Sequence, residues 1–250
     1  MKLIFVRHGE PDYSIDSLTP KGWREAELLV PRLEKLQDPD VFCSPKGRAV
    51  DTARATLKKT GWSMEILPWL AEFRGMPDPT APEADDCSWD LPPRFWTKEP
   101  RFYDPEQWMD PPFYANGTVR EIYVETAQGI DGLLARYGYH WDGHILRCEK
   151  NTDKTLLLFC HFGITAAICG YLLNISPAVL WHTFVMLPTS VTTLVTEERI
   201  PGEVMLRCTG FGDTSHLYAA DEPLSPAALF PEVWTEKNQG RVYDRVPEDE

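Results

Sequence analysis

Several things are missing from this chain, and each absence excludes a class. No apolar run approaches the roughly 18 residues needed to cross a bilayer. The opening "MKLIFVRHGEPDY" reads as a strand with a charged end rather than a signal peptide, so a cytoplasmic protein with no membrane partner is expected. There are six cysteines, but none forms a C-x-x-C pair and most have apolar neighbours; reduced, buried thiols are expected, not a disulfide framework. Positive charge is short, with 25 Lys and Arg against 38 Asp and Glu, a formal net charge of −13. That argues against a nucleic-acid partner, because such binding rests on basic patches. It also means that an anionic ligand must be drawn in by a local cationic pocket against the general field. No internal repeat is found. What remains is 250 residues with 43% hydrophobic and 12% aromatic content, ample for a folded core and suited to one large α/β domain or two small ones.

Along the chain, apolar strands alternate with helical patterns. Residues 2–7 read as a buried strand. The stretch "SLTPKGWREAELLVPRLEKL" predicts a helix capped by Thr19 and started by Pro20, with Trp23, Ala26, Val30 and Leu33 on one face. Pro31 inside it should kink or split the helix. A short strand at 41–43, a Ser-Pro start, a helix and a Gly61 stop follow. Residues 63–67 predict another strand. The clearest unit is "KTLLLFCHFGITAAICGYLL", a strand over 155–160, a polar corner, and a helix from near Gly163. "SVTTLVTEE" and "EVMLRCTGF" predict two strands joined by a turn at Ile200-Pro201-Gly202.

Two regions break the rhythm. Residues 76–117 are rich in proline, acids and aromatics, and so long a loop points to a packed lid. The tail from about 219 is acidic and predicted to lie on the surface. The expected organisation is one domain over 1–218 with the lid inserted at 76–117, then a tail over 219–250. Alternating strands and helices argue for a mostly parallel sheet covered on both faces, with ligands beyond the carboxyl ends of its strands.

Three of those strand ends carry Arg7-His8-Gly9, Ser44-Pro45 with Arg48 after it, and Cys160-His161-Phe162-Gly163; a fourth is followed by Glu72 and Arg74. Two arginines, two histidines and a carboxylate suit a tetrahedral dianion, since arginine offers a permanently charged fork that matches phosphate oxygens. A helix starting at Gly163 would aim free N–H groups at the same spot. One histidine could attack phosphorus while its other ring nitrogen is held by a carbonyl. Nearby arginines lower its pKa and keep it neutral, and a glutamate close to a bound dianion is pushed the other way and can donate a proton.

"FVRHGE", "CSPKGRAVDTA" and "LFCHFG", in that order, resemble the histidine phosphatase superfamily, the phosphoglycerate mutase-like group. The resemblance covers roughly residues 1–75 and 150–218 and suggests a phosphatase-type member of bacterial kind. It implies a three-layer α/β/α sandwich and metal-free, cofactor-free catalysis through a phosphohistidine on His8. Arg7, Arg48 and His161 become phosphate ligands, and Glu72 stands where the proton donor is expected, although Asp78, Glu83, Asp85 and Asp86 lie in the nearby lid. Pro11 and Ser14 depart from the family pattern, which has a small hydroxyl residue and an asparagine there; Ser14 is a substitute ligand at best. Phe162, where glycine often follows the histidine, would narrow the pocket wall.

Other residues carry weaker signals. Arg74 could touch the substrate beyond its phosphate or sit in a surface ion pair, and Ser44 could bind phosphate or cap a helix. His140 and His144 have the i, i+4 spacing of helical metal ligands but no third ligand, so no metal site is assigned. His182 and His216 are read as structural. The lid aromatics Trp89, Phe95, Trp96, Phe102, Tyr103, Trp108, Phe113 and Tyr114 are read as lid core, with one or two facing the substrate. The expected partner is a small phosphorylated molecule. Hydrolysis of its monoester leads; a mutase that returns the phosphoryl group to an alcohol, and a non-catalytic phosphate-binding protein on the same fold, are the alternatives. Oligomeric state stays open, a homodimer being compatible.

Overall fold

The computed structural model describes residues 1–81, 87–150, 152–227, 229–230, 232–233 and 235. Strand β1 (Lys2–Arg7) is buried along all but its first residue. A small hairpin, β2 (Pro11–Asp12) and β3 (Ser17–Leu18), leads into α1 (Pro20–Leu33). Thr19 caps α1 by accepting from Gly22 N, and Pro20 fills the first turn, where no helical hydrogen bond is lost. The helix runs through Pro31 unsplit and ends two residues later, at Leu33. Its buried face is Gly22, Glu25, Ala26, Leu29 and Leu33; Trp23, expected there, is turned to solvent and Val30 only half so. Strand β4 (Asp40–Cys43) and helix α2 (Gly47–Thr60) repeat the layout. Gly61 closes α2 at φ 74°, a conformation that suits glycine. Strand β5 (Met64–Ile66) follows.

The expected lid is ordered where it is described. It holds α3 (Pro93–Trp96) and α4 (Pro112–Ala115), and it ends at α5 (Val119–Ala135). Trp96, Phe102, Trp108, Phe113 and Tyr114 are buried in the main core, with Trp108 edge-on to Tyr114, Tyr123 and Trp181. Phe95 is half-buried and Tyr103 is exposed. A hairpin, β6 (Tyr139–Asp142) and β7 (Ile145–Cys148), takes the place read as possible helical metal ligands: His140 lies on β6 and His144 in the turn beside Gly143. The chain turns at Gly143 between the two histidines, so they are not stacked one helical turn apart. Among the described residues, no cluster of three or more His, Cys, Asp or Glu side chains could hold a metal ion.

Strand β8 (Thr155–Cys160) is wholly buried, and α6 (Phe162–Leu173) is almost so. Helix α7 (Pro177–Thr183), strands β9 (Val191–Ile200) and β10 (Glu203–Asp213) and the short α8 (Ser215–Ala219) complete the order. Eight strands form one sheet in the order β5-β4-β8-β1-β9-β10-β7-β6. The pairs β5-β4, β4-β8 and β8-β1 are parallel; the pairs from β1 through β6 are antiparallel. The mostly parallel expectation thus holds for the half that carries the strand ends singled out above. The other half holds two hairpins, β9–β10 and β6–β7, whose short turns permit only antiparallel pairing, and the long-range pairs β1–β9 and β10–β7 are antiparallel as well.

Both faces are covered. Ile4, Val6, Leu157 and Phe159 pack on α1 and α2, while Leu3, Phe5, Leu156 and Leu158 pack on α5, α6, α7 and the lid. Alternate residues of β1 and β8 serve opposite faces, as the strand period requires. This is the three-layer arrangement. The tail begins docked rather than loose: Glu222 pairs with Lys21 at 2.8 Å, and the buried Ser225 donates to Glu10 Oε2 at 2.6 Å. Most of 219–250 beyond this point lies outside the described residues. All six cysteines are free thiols. No described helix is long and apolar enough to cross a membrane.

Candidate active site

Parallel pairing fixes where the strand ends meet. Arg7 is in register with Cys160, and Cys43 with both Phe159 and Ile66. The residues just beyond, His8, Ser44 and His161, therefore emerge along one edge. His8 N donates to Cys160 O at 3.0 Å and Ser44 N to Phe159 O at 2.9 Å, extending the ladder into the loops. The imidazoles of His8 and His161 come together with ring centroids 5.1 Å apart.

His8 is 1% exposed. Its Nδ1 lies 2.7 Å from Gly9 O, so Nδ1 carries the proton and donates, leaving the lone pair on Nε2. Burial first, and then the Arg7 charge, lower its pKa to about 3. The turn that aims it is held from three sides. Gly9 N donates to Thr52 Oγ1 at 2.9 Å, Thr189 N donates to His8 O at 3.1 Å, and Arg7 N donates to Ser190 O at 3.1 Å. Thr189 sits at φ 55°, a strained conformation for a β-branched residue, and its hydroxyl lies 3.1 Å from the buried His216 Nε2.

Arg7 is buried and donates through Nη1 to Met186 O, while its Nε has no partner. Arg48 projects from the first turn of α2. Its Nη1 donates to Asp16 Oδ1 at 2.6 Å, its guanidinium lies 5.3 Å over the Tyr13 ring, and its Nε is buried and unpaired. Asp16 also accepts from Gly47 N at 2.9 Å through Oδ2, capping α2 from outside. A Cβ on Gly47 would meet Asp16 O at 2.1 Å, so only glycine lets the loop approach this closely. Asp16 itself is at φ 47°. Arg48 and Gly47 together hold its carboxyl below the usual range, against a desolvation that would raise it.

His161 is fully buried and lies 2.7 Å, through Nε2, from Ser44 Oγ; its Nδ1 has no partner. Burial, His8 and both arginines keep it neutral, well below the ordinary histidine range. Ser44 thus neither caps α2, whose cap residue is Lys46, nor waits for a ligand: it holds the second histidine. Phe162 and Gly163 open α6, as expected, with Phe162 half-buried beside the core.

Glu72 follows β5 and reaches across to α6. Its Oε1 accepts from Phe73 N at 2.8 Å and Ile164 N at 3.0 Å. Burial raises its pKa, while those N–H groups and Arg7 pull it down more weakly. A Cβ on Gly163 would come within 2.9 Å of both Glu72 Oε1 and the Trp89 ring, so this lid aromatic overhangs the acid. Asp78, the competing acid in the described part of the lid, is occupied by Thr80 and Asn116. Glu83, Asp85 and Asp86 lie outside the described residues.

Two expected ligands are not brought in. Ser14 is exposed and donates to Asp12 Oδ1 at 2.5 Å, because the short β2–β3 turn directs it outward. Arg74 is exposed and paired with Glu125 on α5 at 2.6 Å, the surface ion pair foreseen as its alternative. His182 is structural, with its Nδ1 2.7 Å from Ala178 O and its Nε2 accepting from Leu91 N at 3.2 Å. Residues the sequence did not single out, namely Tyr13, Asp16, Thr52 and Thr189, build the cradle's frame. The one available signal was the hydroxyl four places after Arg48 in "RAVDT", one helical turn on.

Three residues from separate segments carry buried N–H groups without a protein partner, Arg7 Nε, Arg48 Nε and His161 Nδ1, and the charges of both arginines act on His8 and His161. Buried donors ordinarily have partners. An oxyanion with several acceptor oxygens fits such a set, with a neutral imidazole Nε2 beside it and a carboxyl on the far side.

A family model described as histidine phosphatase superfamily (branch 1) matches residues 3–208. Among solved structures, phosphoserine phosphatase from Entamoeba histolytica in complex with phosphoserine is 21% identical, with a TM-score of 0.57, covering 86% of this chain and 98% of its own. The mycobacterial glucosyl-3-phosphoglycerate phosphatase in complex with VO3 is 20% identical, with a TM-score of 0.57, covering 85% and 99%. At this identity both matches speak to the fold alone. No curated protein sequence matches the chain.

Proposed function

From the premise that the chain belongs to the histidine phosphatase superfamily, branch 1, we propose that it is a metal-independent phosphatase, hydrolysing small organic phosphate monoesters through a phosphohistidine on His8. The observation that supports this reading is the trio of unpaired buried donors on Arg7, Arg48 and His161, with the His161 ring 5.1 Å from that of His8.

In the first step His8 Nε2 attacks phosphorus in line; the P–N bond forms as the ester P–O bond breaks. Glu72 gives its proton to the departing alkoxide. The Gly9 carbonyl holds Nδ1–H and steadies the ring as it gains charge. In the second step water attacks phosphorus, the ionised Glu72 takes its proton, and the P–N bond breaks to return neutral His8 and inorganic phosphate. Arg7, Arg48 and His161 hold the equatorial oxygens throughout; such fixed donors in a dry site supply most of the acceleration in phosphoryl transfer. The N-terminal amides of α6 are already taken by Glu72, so they orient the acid rather than the phosphate.

The test is release of phosphate from 4-nitrophenyl phosphate in EDTA by wild type and His8→Ala, with rapid quenching of wild type on labelled substrate. Acid-labile label on His8 and loss of turnover in the variant are expected. Equal rates for the two proteins, or a strict need for a divalent metal, refute the reading. Isomerised product from 3-phosphoglycerate in place of free phosphate would make it a mutase.

A further inference from the structure

Above the phosphate cradle, the walls change character. Tyr13 is 68% exposed and Ile15 69% exposed, on the β2–β3 turn beside Arg48. What sets Tyr13 apart from the other exposed apolar side chains is its place against Arg48, at the edge of the site. The turn is fixed by Asp16, which is tied to both Arg48 and Gly47 N. Tyr13 lies with its face under the Arg48 guanidinium and is among the groups that perturb Arg7. Across the site Trp89 overhangs Glu72, the acid that meets the departing oxygen, and Phe162 lies next to His161.

The charges on this rim oppose a second anion. Asp16 presents a half-exposed carboxylate at the mouth. Lys46, an exposed cation at the start of α2, acts on both Asp16 and His161 and so offsets part of that repulsion. Arg74, the other candidate for a remote anionic group, is spent on Glu125.

Resting on the phosphatase reading above, we propose that the site selects monoesters whose leaving group is uncharged and apolar or aromatic, gripped between Tyr13 and Trp89, and that Asp16 rejects leaving groups bearing a carboxylate or second phosphate. Tyr13 is a specificity residue in this scheme. The ring also packs under Arg48, so its loss lowers turnover of every ester, and the grip on the leaving group is read from the ratio between substrates.

The test compares two esters of primary alcohols, 2-phenylethyl phosphate and 3-phosphoglycerate, so that leaving-group reactivity is matched. Wild type in EDTA is expected to favour the phenylethyl ester in kcat/KM by about tenfold or more, the scale of a few apolar contacts in a pocket. Tyr13→Ala should bring that ratio below about threefold, chiefly through KM, and Tyr13→Phe should keep it. Tyr13 is exposed, so folding of these variants is not at issue. Turnover with equal or reversed preference, or a preference untouched by Tyr13→Ala, overturns this proposal and leaves the phosphatase reading standing. Absence of turnover on both esters and on 4-nitrophenyl phosphate overturns both.

Discussion

Replacing Ser44 by alanine tests how the second histidine is armed. Ser44 Oγ accepts from Lys46 N at 3.2 Å, and its one proton is then free for His161 Nε2, 2.7 Å away. A hydroxyl donating to Nε2 forces the ring proton onto Nδ1, the nitrogen with no protein partner. Ser44 therefore chooses the tautomer in which His161 offers N–H to a phosphoryl oxygen. Both residues are fully buried, so deleting the hydroxyl strands Nε2, at a cost of about 1–3 kcal/mol. Without the hydroxyl nothing fixes the ring proton on Nδ1, so the tautomer that donates to the oxyanion loses its advantage. The same energy read as transition-state stabilisation is roughly 10- to 100-fold in kcat/KM. Three measurements check this: kcat/KM on 4-nitrophenyl phosphate, the inhibition constant for vanadate, and the 15N shifts of the His161 ring. Ser44→Ala should weaken all phosphoryl-bearing ligands together and lower the share of His161 rings protonated on Nδ1. Unchanged kcat/KM with Nδ1 still protonated would refute the reasoning.

Two further outcomes follow from the charges. Glu72→Gln keeps acceptors for Phe73 N and Ile164 N but has no proton to give, so turnover of alkyl esters should fall about 10²–10⁴-fold, while 4-nitrophenyl phosphate, whose leaving group needs little help, suffers far less; equal losses would remove Glu72 from the donor role. Four buried histidines (His8, His161, His182 and His216) are held neutral, with His182 and His216 lowered to about 4 by burial. Unfolding below the ordinary value of about 6.5 takes up protons, so stability present above that pH is lost as pH falls toward the folded values, about 2 kcal/mol per histidine by pH 5; Glu72 and Glu25, raised by burial, act in the opposite sense. A urea midpoint that stays flat between pH 7 and 5 would contradict this.

The reactive centre was legible because it sits on the most periodic part of the chain. The apolar runs 2–7 and 155–160 stop at Arg7-His8 and Cys160-His161, and a buried run that ends in polar residues marks where a parallel sheet delivers side chains to solvent. Arg48 and Glu72 followed the same logic. Ser14 and Arg74 were misplaced because their positions depend on turn geometry and on a partner, Glu125, about fifty residues away, which no local pattern reports. Neither expected role of Ser44, phosphate ligand or helix cap, includes its contact with His161, 117 residues away; Asp16 escapes notice because a single acid in a polar turn has no periodicity to mark it. The β6–β7 hairpin was hidden for a similar reason. Its residues, "YHWDGHILRC", mix polar and aromatic side chains on an edge of the sheet, where alternation is weak.

Burial does opposite things to the two groups that the proposed mechanism makes nucleophile and proton donor, and that is what separates their roles. Removing water penalises whichever form is charged, so the imidazole of His8 is pushed down and the carboxyl of Glu72 up by one cause. Arg7 lies near both. It lowers His8 further, yet it also stabilises the Glu72 carboxylate, and for Glu72 desolvation wins. His8 stays neutral down to about 3, and the raised Glu72 keeps its proton to higher pH than an ordinary carboxyl, the pairing the proposed first step uses. Opening the lid would admit water, bring both groups back toward their ordinary values, and undo that pairing. The aromatic packing of Trp89 on Phe73 and Trp181, remote from the phosphate itself, is thereby part of the acid–base chemistry.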